Sequence, residues 1–268
     1  MILAADGVFR LDTPHTTYLF HISETGHAEH LYYGPRLTET GDLSAFSGTS
    51  RLRMPTIVNY AEAFPRTYPA LMQTEASAPG KGDLRETLFS GELGEVGNTV
   101  FDFRYRSHSI RAEAKREAKH LPQAGKERSE TLALELADDV TGICLELTYT
   151  VYEDSDVIVR GSAVRNGSSQ TLTVRSLYSL QLDLEDAGWE AVTLDGAWIR
   201  ERQIHRTSLK AGLFGVQSLA GASSAEHNPL MVLEHGEECC LFNLLWSGDH
   251  REIAEVSPYG SVRVLCGI

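Results

Sequence analysis

The sequence predicts an all-β protein of antiparallel strands, and three observations carry that expectation. Apolar and polar residues alternate with a period of two along much of the chain. Turn dipeptides recur about every ten residues, which suits a sandwich or a barrel. No strand–helix alternation, glycine-rich phosphate loop or G-x-S-x-G elbow interrupts the pattern.

The first strands are "TTYLFHI" and "HLYYG", with the turn "SETGH" (23–27) between them. In "VFDFRYRS" (100–107), Phe101, Phe103 and Tyr105 share one face and Asp102, Arg104 and Arg106 the other. Leu132, Leu134 and Leu136 alternate in "TLALEL", and Ile143, Leu145, Leu147, Tyr149 and Val151 do so in "ICLELTYTVYE". Such strands bury one face, because successive side chains point to opposite sides of a sheet. Asn166-Gly167 is the strongest hairpin signal, ahead of the long run "TLTVRSLYSLQLDL" (171–184). "CCLFNLL" is apolar on both faces, so Trp246 reads as core, and "SPYGS" (257–261) separates the last two strands.

Two regions depart from the alternation. Residues 38–90 are irregular, with Pro35, Pro55, Pro65, Pro69 and Pro79 around or inside them; a loop so long is usually functional. "RAEAKREAKH" (111–120) favours helix by propensity, yet has no apolar stripe to bury.

Composition narrows the function. The chain has 268 residues, 42% of them hydrophobic, and 24 Lys and Arg against 37 Asp and Glu, for a net charge of −13. That balance disfavours nucleic acid and anionic membranes as partners. Charges at Asp6, Arg10 and Asp12 spoil any signal-peptide core, and no run of about 18 apolar residues offers a membrane span. Cys144, Cys239, Cys240 and Cys266 lack disulfide or zinc spacing and read as buried free thiols, which predicts the cytoplasm. His27 and His30 in "HAEH" would point to opposite faces of a strand, so no metal or cofactor site is expected. "EDSD" (153–156) and "DLED" (183–186) follow alternating runs and read as turn carboxylates, so no catalytic residue is assigned.

The least ordinary stretch is "GAWIRERQIHR" (196–206). Continued as a strand, it places Trp198, Arg200, Arg202 and Ile204 on one side. Such a face suits an interdomain or oligomer contact, a sugar-pocket wall, or a plain solvated strand with wet guanidinium heads.

Six stretches in order resemble one family. These are "HAEHLYYGPRL" (27–37), "GDLRE" (82–86), "FDFRYRSHSI" (101–110), "TYTVYEDSDVIVRGSAVRNGSSQTLTV" (148–174), "DGAWIRERQIHR" (195–206) and "GASSAEHNP" (221–229). They are similar to motifs of the family 36 glycoside hydrolases, the α-galactosidases or melibiases. The resemblance implies that residues 1–268 are one N-terminal domain, a large antiparallel β-sandwich (a supersandwich). It implies that the catalytic (β/α)₈ barrel with its two aspartates is not in this chain, which is then expected to be part of a longer protein. It also implies an extended segment, not a helix, at 111–120.

By the same resemblance the parent is a retaining α-galactosidase acting on raffinose and melibiose. This domain then supports its own C-terminal barrel, walls the sugar pocket and promotes homo-oligomerisation. The residues expected to touch substrate or the neighbouring domain are Trp198, Arg200, Arg202, Asp83, Arg85, His227 and Asn228. The chain departs from the family pattern at Leu219, Ala220 and Ala225, which replace two arginines and a histidine. A freestanding carbohydrate-binding module is the alternative, and a purely structural assembly domain a third.

Overall fold

The computed structural model describes residues 1–39, 56–112, 121, 128–224 and 226–268. They contain strands and no helix. Residues 113–120 of the expected extended segment lie outside the described residues. Two compact units divide between Leu177 and Tyr178.

The first unit opens with a meander of β1 (Ile2–Ala5), β2 (Val8–Asp12), β3 (Thr16–Ile22) and β4 (Ala28–Pro35). After β5 (Phe89–Leu93) comes a second meander of β6 (Arg104–Arg111), β7 (Ser129–Ala137), β8 (Ile143–Tyr152) and β9 (Ile158–Asn166). The period of two holds well in β8, where all five residues of the expected apolar face are buried. Stacked aromatics join the two meanders: Phe9 lies 4.8 Å from Phe20, and Phe20 lies 5.2 Å from Tyr149.

The described part of the irregular region, 56–88, forms no strand but is no mere surface excursion. Tyr68, Ala70, Met72 and Leu88 are buried, and Glu75 is carried into the core. There Glu75 accepts hydrogen bonds from Tyr18 (2.7 Å), Tyr149 (2.6 Å) and His30 (3.0 Å).

β10 (Leu172–Glu185) belongs to both units. Its residues up to Leu177 pair with β5, and those from Tyr178 pair with β17 (Ser261–Gly267). Between them in sequence lie β11 (Glu190–Asp195), β12 (Gln203–Ser208), β13 (Gly212–Ser218), β14 (His227–His235), β15 (Glu238–Asn243) and β16 (His250–Val256). β13, β16, β17 and β10 are neighbours in one sheet; β12, β11, β14 and β15 form another.

Several expectations are corrected. Instead of two large layered sheets, the strands among the described residues form four small ones, of four or five strands each. Alternation reports that a face is buried, not where a ladder ends. β10 reads as one unbroken run, yet it changes partner midway, with register shifts at Val174/Ser176 and Tyr178/Leu180.

Asn166-Gly167 makes a turn but no hairpin: Gly167 donates to Gly142 O, Asn166 donates to Gln170 O, and the chain leaves for another sheet. Asp183 is not a turn carboxylate. It is fully buried in β10 and meets Arg263 at 2.7 Å on both oxygens. The four cysteines are free, but of the four expected to be buried Cys266 alone is; Cys144 and Cys240 are half-buried, and Cys239, on the edge strand β15, is exposed.

Candidate functional site

Residues Gly196–Arg202 of the unusual stretch form a loop, and Gln203–Arg206 belong to a strand. β11 ends at Asp195 and β12 begins at Gln203, paired across from it. Gly196 opens the loop at φ 148, and a Cβ there would lie 1.9 Å from Arg200 O, so only glycine fits. Arg200 N donates to Ala197 O at 2.7 Å, and Ile199 N donates to the Glu201 carboxylate at 3.0 Å.

Ile199 (φ 69) and Arg202 (φ 59) are left-handed, a conformation a β-branched residue rarely adopts. With Glu226 (φ 67) they make three of the five non-glycine positive-φ residues described. Such strain gathers where function over-determines the backbone. The alternation expected from Ala197 therefore fails: Trp198, Arg200 and Arg202 are set by loop geometry, all exposed, with Trp198 at 86%.

Two further stretches, 219–224 and 226–228, are tied to this loop. Gly196 N donates to Glu226 O at 2.7 Å. Asp195 bridges His227 Nδ1 and His205 Nδ1, each at 2.7 Å. Beneath it, His250 Nε2 donates to Ser223 O (2.9 Å) and His227 O (3.2 Å), while its Nδ1 meets Glu252 at 2.8 Å. Since Nε2 must carry a proton, the Nδ1–Glu252 contact holds one further proton. Burial pushes the Glu252 carboxyl up, against the pull of His250.

Glu201, Arg202, Ser224 and Asn228 line an open depression between the loop and these stretches. Of the expected site residues, the structure thus brings Arg202, His227 and Asn228 into one region of the second unit, with Trp198 and Arg200 on the same loop as Arg202.

Asp83 and Arg85 belong to the first unit. They are buried against each other at 2.8 Å, and Arg85 also donates to Pro69 O and Met72 O. Leu84 between them is 85% exposed. Near them a narrow cleft is lined by His27, Tyr60, Lys81, Asp102 and the apolar Met72, Phe101 and Phe103. His27 and Tyr60 bond Asp102 at 2.9 and 2.8 Å. Burial works to raise Asp102, but those bonds and the charges of His27 and Lys81 bring it down to about 2. Burial and Asp102 raise Tyr60 to about 12. Asp83 is held by Arg85, and Asp102 stays ionised, so this cleft offers no ready acid for glycosidic chemistry.

Sequence reasoning missed Asp195, His205, Glu201 and His250. The first three lie inside the stretch "DGAWIRERQIHR", whose concentration of polar groups was the available signal. His250 gave none, since it is brought to the loop only by the pairing of β16.

Residues 26–268 match the family model of the glycosyl hydrolase family 36 N-terminal domain. The chain belongs to that family. α-Galactosidase AgaA of Geobacillus stearothermophilus is 31% identical over 97% of this chain, and α-galactosidase Mel36A of Lactobacillus acidophilus is 29% identical over 97%. The crystal structure of a Lactobacillus brevis α-galactosidase superposes with a TM-score of 0.91 at 31% identity, over 97% of this chain and 36% of that one. A Geobacillus stearothermophilus AgaA variant in complex with raffinose gives 0.90 at 30% identity, over 97% of this chain and 37% of that one. The chain spans about a third of the length of these relatives: 36% of AgaA and of Mel36A. It is a family 36 N-terminal domain, and its described residues form strands without any helix of a (β/α)₈ barrel.

Proposed function

We propose that this chain serves an α-galactosidase that hydrolyses terminal α-galactosyl residues of oligosaccharides such as raffinose and melibiose. The observation that carries the reading is the match from residue 26 to 268 to one family's N-terminal domain, supported by α-galactosidase relatives along 97% of the chain. The domain supports a retaining catalytic barrel, walls its sugar pocket and helps subunits assemble. The bare loop Gly196–Arg202 is surface available for those contacts. The free cysteines, Cys239 in the open, suit a reducing compartment and hence the cytoplasm.

The test is turnover of a chromogenic α-galactoside. The 268-residue chain alone is expected to be inactive, and the longer protein that contains it active. Inactivity of the longer protein on α-galactosides, or steady turnover by the purified chain, overturns the reading.

A further inference from the structure

One buried side chain fastens both stretches beside the loop Gly196–Arg202. His250 Nε2 donates to Ser223 O at 2.9 Å in the first and to His227 O at 3.2 Å in the second. Glu226 O accepts from Gly196 N at 2.7 Å, so the fastening reaches the loop itself. His250 Nδ1 faces Glu252 Oε2 at 2.8 Å, and both side chains are fully buried. They stand two residues apart on β16 and therefore share one of its faces.

This geometry works with one proton between Nδ1 and Oε2 and fails without it. When that proton leaves, a carboxylate faces the imidazole lone pair. The ring can relieve the clash only by moving its remaining proton from Nε2 to Nδ1, which turns a lone pair on Ser223 O and His227 O. Either arrangement undoes the fastening. The surroundings favour the neutral carboxyl: among the described residues Glu252 Oε1 has no hydrogen-bond partner, a small cost for a carboxylic C=O and a large one for a buried carboxylate. Burial raises the Glu252 carboxyl in the same sense. The titratable groups around the pair are His227 of β14, which Asp195 of β11 holds together with His205 of β12, and the Cys266 thiol of β17. β13 opposes it with Val216 and Ser218, and Arg251 turns to the other face and donates to Tyr178 Oη.

We propose that His250 and Glu252 form a proton-operated latch: while one proton lies between them, the stretches at Ser223 and His227, and with them the loop Gly196–Arg202, are closed onto β16, and its loss lets them open. A solvated imidazolium and a solvated carboxyl each lose a proton, near ~6.5 and ~4.3. Between those values the open and the closed latch hold equal numbers of protons, and closing is indifferent to pH. Above about pH 6.5 the open latch holds one fewer, so closing takes up a proton and weakens about tenfold for each further unit. The inference rests on the chain's own side chains and not on the proposed enzymatic role.

The experiment is amide hydrogen exchange of the 268-residue chain, read residue by residue by NMR from about pH 5.5 to about 8.5 and corrected for intrinsic exchange rates. The amides of Gly196 and Ser223, which donate to Glu226 O and Ser247 O, report the latch. Their protection is expected to stay level up to about pH 6.5 and then to fall about tenfold per unit, while that of the core residue Val264 in β17 does not change. Glu252→Gln keeps the shape of the core, and its amide donates to Nδ1 without any proton from solvent. In that variant the protection of Gly196 and Ser223 is expected to remain level across the whole range. A level profile in the unaltered chain overturns the proposal. So does a slope that survives Glu252→Gln, which assigns the titration to His227 and Asp195, and so does a parallel fall at Val264, which makes the event global unfolding.

Discussion

Arg160 reaches Glu75 at 3.1 Å and stands 4.0 Å over the ring of Tyr149, so the irregular segment 56–88 is fastened to β9 by a buried ion pair. Burial alone would raise the Glu75 carboxyl; Arg160, His30 and Tyr149 hold it below its ordinary value. Arg160→Met leaves that charge without its cation and is expected to cost about 3–5 kcal/mol. The double variant Glu75→Gln/Arg160→Met is expected to recover part of the loss, because no buried charge is then stranded. Urea denaturation of the single and double variants measures both.

Asp102 makes stability fall in acid. Its folded value of about 2 lies below the ordinary 3.8, so the folded chain binds fewer protons than the unfolded chain. The contribution is present above pH 3.8 and is lost as pH falls toward 2. Discounted for the partial exposure of the site, it amounts to about 1–2 kcal/mol. Asp102→Asn is expected to flatten the dependence of the denaturation midpoint on pH in that window while lowering stability at pH 7.

Asp83 and Arg85, expected from the sequence as contact residues, also hold a loop. Arg85→Ala is expected to cost about 3 kcal/mol, since it removes the buried ion pair with Asp83 and the guanidinium bonds to Pro69 O and Met72 O. Leu84→Ala, at the exposed tip, is expected to change stability by less than about 0.5 kcal/mol. Equal losses for the two variants would contradict this division.

The three tryptophans separate in the same way. Trp189 is 6% exposed and donates to Glu185 O, so Trp189→Ala is expected to cost about 3–5 kcal/mol. Trp198→Ala removes little packing and is expected to cost well under about 1 kcal/mol. The same change in the longer enzyme is expected to impair activity or assembly. Trp246, read from the sequence as core, is 38% exposed because it follows β15 rather than lying in it.

Gly196→Ala tests the loop itself. Its Cβ would clash with Arg200 O, which is backbone and cannot swing aside. The loop must rearrange, with an expected loss of about 2 kcal/mol in urea denaturation.

The sequence by itself determined that the chain is built of strands, the buried sides of β7 and β8, and the family. Ile143, Leu145, Leu147, Tyr149 and Val151 are buried as their alternation required, since a strand's two faces follow from the backbone of that strand alone. It also marked 195–206 as a place where polar and aromatic groups concentrate beyond the needs of a sheet.

Tertiary structure alone decided which strands are neighbours and which polar groups are free. The chain leaves its sheet after Asn166, β10 changes partner at Leu177, and Glu75 enters a core from a loop that shows no periodicity. The pairing of β16 brings His250 to Ser223 O, and the course of segment 56–88 buries Arg85 while Arg202 stays open. The physical reason is range. Alternation is a property of adjacent residues, whereas pairing and burial of a charge depend on partners tens of residues away, whose positions no local pattern encodes.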